Sequence, residues 1–503
     1  FIRIAKDLYS ALIRGERVYI TQMDRVNYIL EQARKSALTQ EDILKEYIDD
    51  WLGSRQRHIM LAGQRYYSND NEINSRKRMV IGEDGKLVED NKLTNSRLNH
   101  AFARKLVDQK AQYLFGLPMS IQCKNEQYAK ILGDYFDKPL LKKLKNICKE
   151  AVNKGIAWMQ VYISEDGALK FKKTPSEQVI PIWTDDDHES LSAVIRLYDV
   201  EVYEGRTKKT VTKAEYWTTE GVTYYTLYNG RLILDVERES GAHFTMSSGG
   251  RAQGMNWTRV PFVYFRYNEE EQPLLSFIKA LIDDYDLLSS DDSNNILDSP
   301  NATLILKGYD GVNLGEFRRN LAAYKAIKIT GDRDTQGGVE PLNVPINTAE
   351  VKTHLEQVRK DLYETGRGVD TQTDKLGNAT GVALKFIYAD LDLDCNGIET
   401  EFQSGFEMMR FFIDTYLQLT GQGDYAKEPV EFILNRDIII NESEAIANCK
   451  NSAGLISEQT IVANHPFVKD VDAELKRLQE EQQEAIDEYG QFGQEPQVKV
   501  DEE

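Results

Sequence analysis

Apolar side chains recur at helical spacing on both sides of one polar loop between Asn347 and Gly421, and the rest of the chain is organised around that stretch. Val351, Leu355, Val358 and Leu362 mark the first helix. Asn347 and Glu350 open it as a capping box, each side chain satisfying the other residue's exposed amide. Gly366 predicts its end, because glycine leaves helical angles at least cost. Residues Gly366 to Gly381 hold four glycines and almost no apolar side chains, which is the composition of a loop. From Val382 the period resumes through Ile387, Leu391, Ile398, Phe402, Met409, Ile413 and Leu417, with no proline before Pro429. A helix over about 382–420 would be roughly 60 Å long, so it is expected to cross a larger assembly or to bend near Gly397 and Gly405.

Upstream, Met23, Val26, Ile29 and Leu30 predict one short helix, and Ile43, Tyr47, Ile48 and Trp51 another. A polar connection with a turn at Gly82–Gly85 is expected between them and residue 95. A third helix then carries Leu98, Phe102, Leu106, Gln109 and Tyr113 and stops at Gly116-Leu-Pro118. Its basic residues, Arg97, Arg104, Lys105 and Lys110, read as a solvated face. From Ile156 to Phe265 the period changes to two, which predicts a series of antiparallel strands with a hairpin turn at Asn229-Gly230. Gly249–Gly254 reads as a surface loop between strands, since no strand enters it and no helix leaves it as a phosphate loop requires.

A helix is expected from Pro273, ending in the polar run Ser289–Asn295. A compact α/β segment follows, with strands at Thr303–Leu306 and Ala326–Ile329, a turn at Tyr309–Gly311, a short helix near Phe317–Leu321 and a loop at Gly331–Gly338. After the long helix come strands at Val430–Leu434 and Ile438–Ile440. Helices over Glu444–Asn451, Ser457–Ala463 and Val471–Ile486 close the chain, and residues 491–503 read as a disordered acidic tail.

Composition narrows the function. The 62 basic and 81 acidic residues give a formal charge of −19, which opposes loose electrostatic adhesion to nucleic acid while suiting a partner that must slide. Cys123, Cys148, Cys395 and Cys449 have no paired spacing and read as free thiols. No apolar run approaches the ~20 residues that span a bilayer. The chain starts Phe-Ile-Arg-Ile rather than with methionine, so its true start is expected to lie upstream.

No Gly-x-x-x-x-Gly-Lys-Ser/Thr, His-Glu-x-x-His or Gly-x-Ser-x-Gly occurs, and the six histidines are scattered singly. Asp392-Leu-Asp394-Cys-Asn396-Gly397 imitates the opening of a calcium loop, but position 12 is Gln403 rather than a bidentate glutamate; an exposed acidic helix face is the favoured reading. Asp283, Asp284, Asp286, Asp291 and Asp292 suggest a two-metal nuclease, yet no opposing carboxylate cluster accompanies them. A solvated or lumen-facing acidic surface is expected there. No cofactor or metal is expected.

The order of parts resembles the portal proteins of tailed bacteriophages, particularly those of Bacillus-type siphophages. The resemblance rests on Asn95-Ser-Arg97, His100, Val107-Asp-Gln-Lys110 and Tyr113–Pro118; on Arg259-Val-Pro261, Asn268-Glu-Glu270 and Leu281–Asp286; and on Lys307–Gly311, Thr380–Leu384 and Ile456–Phe467. It covers about residues 60–485 and departs at the N-terminal segment and in the loop at 366–381.

This resemblance implies an α+β subunit, with an N-terminal segment and α/β wing over 1–270 and stem helices at 271–294 and 347–365. A small clip would occupy 295–346, a tunnel loop 366–381, a long wing helix 382–427 and a helical crown 428–490. It implies a dodecameric ring at one capsid vertex of the virion, assembled in the host cytoplasm, through which double-stranded DNA is packaged and ejected. Arg367, Asp370, Thr371, Gln372, Thr373, Asp374, Lys375 and Asn378 would line the tunnel loop, with Arg367 and Lys375 touching the DNA backbone without reading sequence. Arg318, Arg319 and Lys325 would contact the terminase large subunit and then a head-completion adaptor. Major capsid and scaffolding proteins are the other expected partners. Two readings compete with this one, a metal-dependent DNA-processing enzyme and a capsid or tail scaffold without a channel.

Overall fold

The computed structural model describes residues 39–81, 85–90, 94–248, 251–298, 303–307, 338–342, 348–372, 381–436, 442–468 and 471–492. In chain order, α1 (Gln40–Gly53) and α2 (Arg55–Tyr67) lead through a 3-10 turn (Glu72–Ser75) to a hairpin of β1 (Met79–Ile81) and β2 (Leu87–Glu89). α3 (Phe102–Phe115), β3 (Ser120–Cys123), α4 (Glu126–Tyr135) and α5 (Lys138–Lys154) follow. Next come β4 (Ile156–Ile163), β5 (Leu169–Thr174), β6 (Val179–Trp183), β7 (Leu191–Glu204), β8 (Thr207–Trp217), β9 (Val222–Tyr228), β10 (Arg231–Leu234), β11 (Phe244–Ser248), β12 (Arg251–Met255) and β13 (Phe262–Arg266). α6 (Leu275–Asp298), β14 (Thr303–Lys307), β15 (Gly338–Leu342), α7 (Thr348–Thr365), α8 (Gly381–Leu419), β16 (Val430–Ile433), α9 (Glu442–Ser452), α10 (Glu458–Ala463) and α11 (Val471–Phe492) complete the order.

The chain divides into two compact units, one of residues 1–368 with 394–435 and one of 369–393 with 436–503. In the first, β10-β9-β8-β7-β6 form an antiparallel sheet and β13-β4-β5 another, while β16 pairs with β3. The hairpin between β9 and β10 turns on Asn229 at φ 48° and Gly230 at φ 77°, as the Asn-Gly pair requires. One apolar cluster joins α1 and α2 to both sheets through Ile48, Met60, Trp158, Trp183 and Phe262. A second lies along α8, where the Phe402 ring is 4.9 Å from Phe265 and the Phe406 ring 5.4 Å from Phe432. Gly405 admits this packing, because a Cβ there would lie 2.3 Å from the Phe265 ring. Each such buried aromatic contributes about 1.5–3 kcal/mol.

Several expectations hold. The antiparallel series after 156, the helix at 40–53, the end of α7 before Gly366 and the single long helix at 381–419 all appear. Ser457 caps α10 by accepting from the Thr460 amide. The helix at 23–30, the strands at 326–329 and 438–440, the helix at 317–321 and residues 493–503 fall outside the described residues.

Other expectations are corrected. The connection before residue 95 contains α2, whose Met60, Gly63 and Tyr66 turn inward. Residues 251–255 are a strand paired with 244–248 rather than a loop. The partner of β14 is Gly338–Leu342, next to a segment read as a loop. α4 and α5 occupy residues that periodicity left unassigned.

The polar run Ser289–Asn295 continues α6 to Asp298 instead of ending it. Asp286 and Ser290 are fully buried and Asn294 nearly so, making a polar stripe at every fourth residue. That stripe binds an extended segment: the amides of Ser96, Leu98 and His100 donate to Asn294 Oδ1 (2.7 Å), Ser290 Oγ (3.0 Å) and Asp286 Oδ1 (3.0 Å). Four helical residues rise ~6 Å and two extended residues ~6.6 Å, so the two ladders stay in step. Leu98 therefore belongs to this extended segment and not to α3, which begins at Phe102. Asp286 also accepts from Asn71 Nδ2 at 2.6 Å and lies 2.7 Å from His100 Nδ1, so it is no part of a solvated acidic surface.

Hydrogen exchange across residues 95–100 is expected to alternate, with the Ser96, Leu98 and His100 amides protected. Ser290→Ala should cost about 1–2 kcal/mol and selectively expose the Leu98 amide; Asp286→Ala, which strands several donors, should cost about 3 kcal/mol or more. Equal losses in the two variants would contradict the ladder.

Candidate functional site

The loop after α7 is anchored before it leaves the first unit. The amides of Gly366, Arg367 and Gly368 donate to the carbonyl oxygens of Leu362 (2.9 Å), Glu364 (3.1 Å) and Tyr363 (2.9 Å), closing the helix. Arg367 adopts φ 46°, the left-handed conformation common just beyond a helix end. The glycines on either side let the turn lie close against Leu106. A Cβ on Gly366 would meet Leu106 and the Leu362 carbonyl at 2.7 Å, and one on Gly368 would approach Leu106 to 2.2 Å.

Under this turn lies Lys110 of α3, fully buried. Its Nζ sits 2.7 Å from Asp394 Oδ2 of α8 and donates to the Arg367 carbonyl oxygen at 2.9 Å. Asp394 also accepts from Tyr267 Oη at 3.0 Å, and Arg367 Nη1 stands 3.5 Å from its other oxygen. Burial, with the nearby Asp394 charge adding to it, pushes the Tyr267 hydroxyl well above its ordinary range, so it remains a donor. Cys148 and Cys395 are fully buried close by, and burial likewise raises the Cys148 thiol. The contacts converge on the end of α7 from α3, α8 and the segment after β13. They can hold a backbone in place and offer no nucleophile or open coordination position.

Two sequence expectations change here. Lys110 was placed on a solvated basic face, but Leu106 and Val107 precede it by four and three residues on the buried side of α3. Asp394 was placed on an exposed acidic face, yet it shares a stripe with Leu391 and Ile398 and is committed to Lys110. α8 runs unbroken through the calcium-like sequence. A charged residue at an apolar helical position was the available signal in both cases, and composition alone masked it.

Of the loop residues, Arg367 is half-exposed and paired with Asp394. In the second unit, Gln372 donates its amide to Asp370 Oδ1 at 3.1 Å, and Thr371 and Gln372 are exposed. Thr373, Asp374, Lys375 and Asn378, together with Arg318, Arg319 and Lys325, lie outside the described residues. Besides Asp286, three α6 carboxylates are engaged structurally: Asp283 with Tyr66 and Lys279, Asp284 with His354, and Asp291 with Arg76 and Arg78, while Asp292 has a buried Oδ1 without a hydrogen-bond partner among the described residues. Among the described residues no group of three or more His, Cys, Asp or Glu side chains is arranged to hold a metal ion.

These are positioning contacts, made by a long helix and a turn packed against Leu106. The family model described as "Phage portal protein, SPP1 Gp6-like" matches residues 44–488. A portal protein of Bacillus phage SPP1 is 32% identical over 467 residues, covering 92% of this chain and 90% of the relative. A portal protein of Clostridium phage phiCD119 is 32% identical over 459 residues, covering 87% and 96%. The chain belongs to the SPP1-type family of phage portal proteins. A chain in a solved structure titled "Neck of native GTA particle computed with C12 symmetry" aligns over 72% of this chain and 88% of its own, with TM-score 0.36 and 12% identity, too loose a likeness to argue from. Membership in the family implies a homo-oligomeric ring with partners in the phage head, at the capsid vertex. Portal proteins are structural.

Lys110→Met should lower stability by about 3–5 kcal/mol, since it leaves Asp394 buried with one of its two cations gone. Combined with Asp394→Leu, most of that loss should return in a double-mutant cycle read by chemical denaturation. Simply additive losses would show that the pair is not coupled.

Proposed function

We propose that twelve copies form the ring and that double-stranded DNA passes along its axis during packaging and ejection. The observation that carries this reading is the family match over residues 44–488, together with a polar, glycine-bearing loop held at its base by Lys110. In this assignment residues 271–294 and 347–365 are the stem, 295–346 the clip, 366–381 the tunnel loop, 382–427 the long wing helix and 428–490 the crown. Residues to about 270 are the wing. A formal charge of −19 per copy limits adhesion of DNA phosphates, and Arg367 and Lys375 touch the backbone without reading bases. Asp370, Thr371, Gln372, Thr373, Asp374 and Asn378 complete the loop surface.

The clip docks the terminase large subunit during packaging and a head-completion adaptor afterwards, through Arg318, Arg319 and Lys325. Major capsid and scaffolding proteins seat the ring as it assembles in the host cytoplasm.

Electron microscopy of the purified chain should show rings with an axial hole. Replacing residues 370–378 by a short Gly-Ser linker should leave the rings intact and reduce packaged DNA at least tenfold in an assembly reaction. Normal packaging by that variant would remove the loop from the mechanism, and metal-dependent DNA cleavage by wild type would favour an enzyme.

A further inference from the structure

A groove of about 1230 Å³ runs along α8 beside β13, an edge strand of the β13-β4-β5 sheet. Asp187, Glu189, Glu269, Glu401 and Glu407 are among its lining residues. The three arginines in its wall are already engaged. Arg259 covers the Phe411 ring at 4.1 Å, Arg410 lies 3.3 Å from Glu407 and 3.5 Å from Asp414, and Arg266 donates to the carbonyl oxygens of Asp187 and His188. Asp187, Glu189 and Glu269 are exposed, and their side chains have no ion-pair partner among the described residues. Burial, reinforced by Glu269, Glu270 and Glu271 against the pull of Arg266, raises the Glu401 carboxyl above its ordinary range. The buried Nε of Arg266, in the same wall, lacks a hydrogen-bond partner. Negative charge here exceeds what the subunit itself neutralises.

The opposite edge of the same sheet carries the opposite charge. Lys138 and Lys142 stand on α5 and Lys172 on β5, all exposed and without an ion-pair partner among the described residues. α5 reaches over this edge, where Lys143 Nζ donates to the Phe171 carbonyl oxygen at 3.0 Å. Lysine on an edge strand discourages unwanted strand pairing, which accounts for Lys172 but not for the two helical lysines. In a chain of net charge −19 this face is an unusual concentration of unpaired cations.

A ring is closed by one contact repeated head to tail, so each copy must offer two different, complementary patches on separate sides. Opposite edges of one sheet meet that requirement. We infer that the groove bearing Asp187, Glu189 and Glu269 in one copy receives the Lys138, Lys142 and Lys172 face of the next copy around the ring. This rests on the ring reading above. A nucleic acid cannot occupy the groove, because the same carboxylates repel phosphate.

The test is charge reversal on the full chain, with ring formation followed by mass photometry or analytical ultracentrifugation. Asp187→Lys with Glu189→Lys and Glu269→Lys should raise the concentration of half-assembly about tenfold or more, and so should Lys138→Glu with Lys142→Glu and Lys172→Glu. Mixing the two variants should restore an alternating contact and recover mixed rings, which neither forms alone at the same concentration. The neutral pair Asp187→Asn and Glu269→Gln, which preserves side-chain size, should shift assembly in the same direction by a smaller factor, separating charge from misfolding; circular dichroism confirms the fold. Wild-type-like rings from both reversal sets would overturn this contact while leaving the ring reading intact. A wild-type chain that stays monomeric at all concentrations would overturn both.

Discussion

The Lys110 ammonium of the first unit is fully buried, and the interior accepts such an ion only with a carboxylate and further acceptors around it. Meeting that requirement ties α3 to α8 through Asp394 and to the end of α7 through the Arg367 carbonyl oxygen. Tyr267 adds its hydroxyl to the same carboxylate. Gly366 and Gly368 allow the turn to lie against Leu106. The backbone from which the proposed tunnel loop departs is therefore located by ionic and steric demands together, and neither alone would place it.

The same economy appears along α6. Its polar stripe takes the place of a neighbouring strand for residues 96–100, because every fourth helical residue keeps pace with every second extended one. Asp286, Ser290 and Asn294 act as backbone partners supplied by side chains. The long helix α8 works differently, presenting aromatic rings to Phe265 and Phe432 and a single glycine where the sheet comes closest.

For a portal-family subunit these devices divide the work. Apolar clusters make the sheet-bearing body, and buried polar contacts set where the loop after α7 begins. The base of that loop is held by a buried ammonium in a chain that is acidic as a whole.

The amino-acid sequence by itself determined the antiparallel strand series after 156, the Asn229-Gly230 hairpin, the end of α7 at Gly366 and the uninterrupted helix from 381, since each follows from local periodicity or backbone freedom. The family was legible too, in scattered short motifs. Tertiary structure alone decided what charged and polar residues do inside helices. Lys110, Asp394, Asp286, Ser290 and Asn294 all look solvated when read by residue type. Each becomes favourable in the interior only through a partner tens to hundreds of residues away, and local pattern does not encode such pairings.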